Sequence, residues 1–296
     1  MHTAWNTITE HITKTTGTPF TLRTQQAIGG GSINTAFMLE GADARYFVKL
    51  NSATRLAMFE AEAEGLRELT QARTVRVPEP VCCGVTDSQA YLVMEHIALG
   101  SGTTHTAEVL GQQLAALHRI TRAFHGWEHD NTIGSTPQIN TPSSDWVAFW
   151  DRQRLGYQLE LAAQQGYGGR LQQQGERLRA HLPQLLADHA PAPSLLHGDL
   201  WSGNAAADAK GAPVIFDPAV YYGDRETDIA MTELFGGFST RFYQAYDEAY
   251  PLPTDYPLRK TLYNLYHVLN HLNLFGGGYL AQAEQMLDRL LSEIIP

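Results

Sequence analysis

A chain of 296 residues with 43% apolar and 18% charged residues is long enough for one large core or two joined lobes, and its composition is that of an ordinary globular protein. A net charge of -10 with no basic block argues against nucleic acid or an anionic membrane surface as the main partner. The N-terminus lacks a charged-then-apolar leader pattern, no apolar run approaches the roughly 18 residues of a membrane span, and the adjacent pair Cys82-Cys83 is no disulfide scaffold, so a cytoplasmic setting is expected.

In chain order, residues 1–17 predict a short helix with Trp5, Ile8 and Ile12 near one face. Thr21–Ala27, Thr35–Leu39 and Arg45–Leu50 predict strands, with Gly29-Gly30-Gly31-Ser32 turning the chain between the first two. Residues 53–70 return to a helical period through Phe59, Leu66 and Leu69, until Val75–Pro80 breaks it and leads into extended chain. Gln89–Glu95 is a further short strand. Residues 1–95 therefore read as a small N-terminal unit of mostly antiparallel sheet with one packed helix, and residues 96–103 as a connector. Beyond it, Ala107–Ile120 predicts a helix. Residues 125–143 are polar, turn-rich and long for a plain connection, which leaves a functional loop and a solvated insertion as the two readings. Helices are expected over 144–165, 171–189, 229–249, 257–275 and 279–294, so the unit 104–296 is mostly helical and the fold class is α+β.

The chemistry concentrates at 195–217. Leu195-Leu196 runs into the polar turn His197-Gly198-Asp199-Leu200-Trp201-Ser202-Gly203-Asn204, and Val214-Ile215-Phe216 ends on Asp217. Asp199, Asn204 and Asp217 offer carboxylate and amide oxygens, the donors a hard ion such as Mg²⁺ takes beside substrate phosphates. In the first lobe, Gly30, Gly31 and Ser32 belong to a turn whose backbone can approach phosphate closely. Lys49, one of four lysines, sits inside the apolar strand Tyr46–Leu50 and must send its ammonium to a polar partner. Phosphate would be one partner. Helical phase points to a carboxylate for the other: Glu62 shares the face of Phe59 and Leu66, whereas Glu60 fits only an irregular helix; the competing reading is that Glu62 lies at the edge of the stripe and reaches water. A lysine clamp and oxygen ligands are what phosphoryl transfer from ATP asks of a protein.

These segments resemble the aminoglycoside-phosphotransferase-like branch of protein-kinase-like enzymes, and more closely the fructosamine kinase (ketosamine-3-kinase) family. The resemblance rests on Gly30–Asn34, Met58–Glu62, Val75–Pro78, His197–Asn204, Phe216–Ala219, Tyr222–Met231 and Leu274–Tyr279, and spans about residues 5–293. It implies a bilobal protein-kinase-like fold with ATP and Mg²⁺ as cofactors. Asp199 would be the catalytic base, Asn204 and Asp217 the metal ligands, and Lys49, braced by Glu62, the clamp on the α- and β-phosphates. Met94-Glu95-His96-Ile97 would be the hinge, its backbone facing adenine. The implied acceptor is the 3-hydroxyl of a ketoamine, either a small molecule or a glycated-protein lysine adduct, and the implied assembly a monomer or weak homodimer. A same-fold kinase for an aminoglycoside, choline or sugar is the alternative. A non-catalytic nucleotide-binding module fits less well, because Lys49, Asp199, Asn204 and Asp217 are all present. The chain departs from protein kinases in its turn Gly-Gly-Gly-Ser-Ile-Asn, in Asp217-Pro218-Ala219 and in Gly198, all shared by small-molecule kinases of this branch. Some relatives carry a redox-sensitive cysteine in the glycine turn; Ser32 stands in its place, so that switch is expected to be missing.

Other residues admit two readings each. His197 is expected to support the catalytic loop, and Asp228 to organise it by accepting backbone hydrogen bonds. Trp201 is either core or a flat wall for the substrate beside Asp199. Asp224 either supports the loop or faces the substrate. His267 and His271 share a helix face, where a cleft contact for His271 competes with a polar packing seam; a zinc pair lacks a third ligand. Trp127 in the long loop is a candidate sugar contact.

Overall fold

The computed structural model describes residues 2–29 and 33–294. The chain divides into two compact units, the first of residues 1–106 with 205–218, the second of 107–204 with 219–296.

The first unit is built on a five-stranded antiparallel sheet. Its strands are β1 (Thr24–Ile28), β2 (Thr35–Glu40), β3 (Arg45–Ser52), β4 (Pro80–Val85) and β5 (Gln89–Glu95), in the order β1-β2-β3-β5-β4. Strand alternation decides where β3 sends its side chains. Val48 and Leu50 face helix α1 (His2–Thr16) and join Trp5, Ile8, Ile12, Tyr91 and Val93 in one buried cluster. Lys49, between them, points to the other face, which is covered by helix α2 (Leu56–Ala72) through Met58, Phe59, Leu66 and Leu69. Each such large apolar side chain contributes about 1.5–3 kcal/mol on burial. Cys82 of β4 belongs to the α1 cluster, and burial first, then the neighbouring Cys83, pushes its thiol up to about 12, so it is inert.

The expected boundary at residues 96–103 needs one correction. The hairpin Ala205–Asp208 and Pro213–Ile215 joins the first unit, because Leu99–Gly100 pairs with Ala207 and Asp208 to complete a three-stranded sheet. Arg76 fastens it further: its guanidinium holds Asp208 at 2.8 Å and its carbonyl accepts from Ile215 N at 3.0 Å.

The second unit is helical. Helix α3 (Thr104–Leu117) leads into it, followed by α4 (Trp146–Trp150), α5 (Tyr157–Gln164), α6 (Arg170–Leu185), α7 (Glu226–Leu234), α8 (Thr240–Ala249), α9 (Tyr256–Phe275) and α10 (Leu280–Ile294). α9 is its axis, buried along most of its length between α5, α7 and α10, with Arg259, Asn264, His267 and Asn270 among its buried residues. Two expected helices are interrupted. The stretch 144–165 contains a π-helical turn at Asp151–Gly156, and the stretch 229–249 is broken at 235–239, where Ser239 caps α8 by accepting from Phe242 N. Residues 125–143 are neither a solvated insertion nor an open loop. Asn131–Ile133 and Thr136–Gln138 pair as a hairpin, and Trp127, Asn131, Gln138 and Asn140 are buried.

Candidate active site

In the first unit the apolar strand β3 delivers one ammonium between two carboxylates. Lys49 Nζ donates to Glu62 Oε1 at 2.6 Å and to Asp217 Oδ1 at 2.7 Å. Burial alone would lower the Lys49 pKa, but Asp217 and Glu62 outweigh it and hold the side chain protonated. Two acids share this single cation, and the more buried one yields: burial pushes the Glu62 carboxyl above its ordinary range despite Lys49. Glu60 is exposed, so helical phase chose the partner, as an irregularity in α2 would have been needed for the alternative. Asp217 adopts a left-handed backbone with φ +58, a conformation that costs about 1–3 kcal/mol and clusters at functional sites. Its side chain is 48% exposed, so the carboxylate is both tied to Lys49 and open to solvent.

At the expected hinge, Glu95 is tied through both its side chain and its amide. The Glu95 carboxylate is held by Arg76 at 2.6 Å and the Glu95 N–H donates to the Glu79 carbonyl at 2.8 Å. The Glu95 side chain is therefore a tether for Arg76, a role beside the expected one, which concerned the backbone of this segment. His96 and Ile97 follow in extended, half-buried chain, and burial lowers the His96 pKa, keeping the imidazole neutral at pH 7. Gly30, Gly31 and Ser32 lie outside the described residues.

In the second unit the strand Ser194–Leu196 ends at the loop 197–204, which carries Asp199. Asp228, at the start of α7, accepts from His197 N at 2.7 Å, Gly198 N at 2.8 Å and His118 Nε2 at 3.2 Å. Burial would raise this acid, but the bonds from His118 and the two backbone amides hold it below the ordinary carboxylate range. Gly198 is required here: its φ is +83, and a Cβ would lie 2.0 Å from the Ala219 carbonyl oxygen. That close approach is why the loop has no side chain where protein kinases carry arginine. His197 is fully buried, and its Nδ1 accepts from Asp199 N at 3.3 Å. The Asn204 amide donates to the Asp199 carbonyl at 2.9 Å and towards Asp199 Oδ2 at 3.4 Å, so the atom it retains for a cation is Oδ1.

Replacing Asp228 with Asn is expected to destabilise the fold by about 3–5 kcal/mol, since the amide cannot match a carboxylate that accepts three buried donors. Because the folded pKa is depressed, the stabilisation is complete above the unfolded value near 3.8 and is lost as pH falls through the folded one. Urea unfolding from pH 7 down to pH 3 should therefore show the gap between wild type and variant narrowing only below about pH 4. A gap independent of pH would disprove the assignment.

Two sequence candidates for substrate contact are corrected. Trp127 is buried, edge-on to His129. Asp224 is buried too, and its Oδ2 accepts from Tyr263 OH and His189 Nε2, each at 2.5 Å. His189, Asp224 and Glu226 lie within metal-ligand reach of one another, but Arg259 already holds Glu226 through two bonds of 2.7 and 2.8 Å. Trp201 remains 38% exposed and His271 is half-buried among aromatic rings.

Residues that sequence reasoning missed form a brace behind this loop. Arg154, turned inward by the π-helical segment, is fully buried; among the described residues it donates to the carbonyls of Ile139 and Gln153 and to Asn140 Oδ1 rather than to a carboxylate. Its guanidinium stacks 4.1 Å from the Tyr221 ring and 4.7 Å from that of Phe149. Gln138 and Asn131, on the hairpin it holds, donate to Ala219 O and Val220 O, and Ala219 N donates to the His197 carbonyl. Arg154 stands in the polar run Asp151-Arg152-Gln153-Arg154, which gave no local signal of burial.

The fructosamine kinase family model matches residues 4–293. The chain belongs to the fructosamine kinase family. A probable ketoamine kinase of Synechocystis is 48% identical over 288 residues, 97% of each chain. The chloroplastic protein-ribulosamine 3-kinase of Arabidopsis thaliana is 45% identical over 268 residues, 90% of this chain and 82% of that one. A crystal structure of a putative fructosamine-3-kinase from Haemophilus somnus superposes with a TM-score of 0.90 at 28% identity, covering 97% of both chains. The fold of this family member is thus the kinase-like one, with an antiparallel-sheet unit and a mostly helical unit. Among the described residues no helix is long and apolar enough to cross a membrane.

Proposed function

We propose that the chain transfers the γ-phosphoryl group of ATP to the 3-hydroxyl of a ketoamine sugar. The observation that carries this reading is the buried Lys49 ammonium held by Glu62 and Asp217, in a chain whose relatives are named as ketoamine and ribulosamine kinases. Lys49 neutralises the α- and β-phosphates, and Glu62 keeps it aimed. Asp199 accepts the proton of the 3-hydroxyl as the new O–P bond forms and the bond to ADP breaks. Asn204 Oδ1 in the second unit and the Asp217 carboxylate in the first are each hard oxygen donors of the kind Mg²⁺ takes: Asp217 is open to solvent, and the Asn204 nitrogen is already committed to Asp199. When bound there, the ion supplies charge neutralisation along the phosphates. The backbone at Glu95, His96 and Ile97 faces the adenine. The 3-phosphate so made is a leaving group that the 1,2-enaminol of the sugar can expel, which releases the amine by hydrolysis.

The test is ATP consumption against ketoamines, aminoglycosides, choline and free sugars, with the product phosphate located by ³¹P NMR. Turnover on ketoamines with phosphate on O3 is expected, abolished by EDTA and restored by Mg²⁺. Turnover on another hydroxyl alone would overturn the acceptor, and turnover unaffected by EDTA would overturn the metal.

A further inference from the structure

Trp201 stands two residues after Asp199, and its main-chain N–H donates to the Asp199 carbonyl at 3.2 Å. Its indole folds back over Gly203, where a Cβ would meet the ring at 2.2 Å. Gly203 has no left-handed backbone angle, so what requires glycine is the ring above it. From that indole a chain of rings continues. Trp201 meets Phe235 edge-on at 6.2 Å, Phe235 meets His271 at 4.8 Å, and His271 meets Phe275 at 5.4 Å and Tyr279 at 5.2 Å. The rings run from the catalytic loop, through the break between α7 and α8, to the end of α9. Among the described residues four large apolar side chains are exposed, and two of them, Trp201 at 38% and Phe275 at 53%, lie on this ledge. An exposed apolar strip beside the reacting group marks a ligand surface.

The histidine of the ledge is also uncharged. Burial lowers the His271 pKa and keeps the ring neutral at pH 7. Its Nδ1 lies 2.8 Å from the His267 carbonyl, which can only accept, so Nδ1 carries the proton and Nε2 keeps its lone pair. Neutral π faces and a nitrogen acceptor suit an alkylammonium rather than a carboxylate.

We propose that this ledge is the subsite for the amine half of the acceptor, an inference that rests on the ketoamine reading above. In a ketoamine the reacting O3 is separated from the amine nitrogen by four single bonds, roughly 5 Å in extended form. A sugar presenting O3 to Asp199 therefore carries its nitrogen to the neighbourhood of Trp201. The secondary ammonium lies against the indole and His271, and the methylenes beyond it run along Phe235 and Phe275. The subsite favours amines with an aliphatic stem, as in a lysine side chain, over adducts of short or acidic amines.

The experiment measures kcat/KM for one sugar carried on methylamine, n-butylamine and Nα-acetyl-lysine. Wild type is expected to prefer the two long amines over methylamine by about 10-fold, the scale of two or three methylenes partly buried. Phe275→Ala, at an exposed position that folding tolerates, should collapse that ratio towards one, whereas Val85→Ala, an exposed apolar residue of the first unit, should keep it. A thermal melt checks that both variants are folded. A long-to-short ratio near one in wild type, or a ratio that survives in Phe275→Ala, overturns the subsite. If wild type phosphorylates none of the three ketoamines, the ketoamine reading fails first and the subsite falls with it.

Discussion

Asp199→Asn is expected to lower kcat by about 10²–10⁴-fold, the usual contribution of a positioned general base. The substitution is nearly isosteric. It keeps the backbone bond to His197 Nδ1 and the contacts of the main-chain carbonyl with Asn204 and Trp201, because none of these involves the carboxylate. What it removes is the oxygen able to take the proton of the 3-hydroxyl, since an amide is not a base at neutral pH. The loss should appear in kcat, with ATP affinity by titration calorimetry unchanged within about 2-fold, because the interaction belongs to the transition state and not to nucleotide binding. A kcat within about 3-fold of wild type would remove Asp199 from the role of base.

Lys49→Met is expected to lower kcat/KM by about 10²-fold or more, the scale seen when one preorganised electrostatic donor is removed. Methionine matches the reach and apolar surroundings of the lysine stem, so the change isolates the charge. It also leaves two carboxylates without the cation they share, Glu62 buried and Asp217 half exposed. Breaking a buried pair costs about 3–5 kcal/mol, and solvent around Asp217 places this case towards the lower end. Glu62, already raised by burial, loses the influence that lowered it and rises further. A raised folded pKa means the folded variant binds more protons than the unfolded chain, so its stability falls as pH rises above the unfolded value of 4.5. Denaturant unfolding at pH 5 and pH 8 should show a larger deficit relative to wild type at pH 8. An equal deficit at both would mean that Glu62 is not the acid left behind.

The two predictions differ in how much of them could be seen in the chain alone. For Lys49 the argument is nearly complete without coordinates. A lysine in an apolar strand needs a polar exit, and helical phase singles out Glu62, because both rest on local periodicity that survives in the folded state. The string His197–Asn204 is equally readable, since its chemistry is carried by residue types at fixed short spacing. Strand β5 and helix α9 also emerge from the order of side chains, as their apolar patterns are long and regular.

Tertiary structure decided which polar groups are already taken. Nothing local distinguishes Asp224, bound to Tyr263 and His189 across 39 and 35 residues, from an acid facing the substrate. The same holds for Trp127, a candidate sugar contact that proves to be buried. Asp217 was expected in the helical half, yet strand pairing through Leu99–Gly100 gathers its hairpin into the sheet-bearing unit. Phe235 gave no sign of being part of an aromatic ledge, because its neighbours His271 and Trp201 come from distant segments. The amino-acid order by itself determined the periodic elements and the reactive string, since those depend on neighbours within a few residues. Burial, hydrogen-bond partners and unit membership depend on contacts between residues far apart in the chain, and the energy that chooses among those contacts is visible only once the chain has closed on itself.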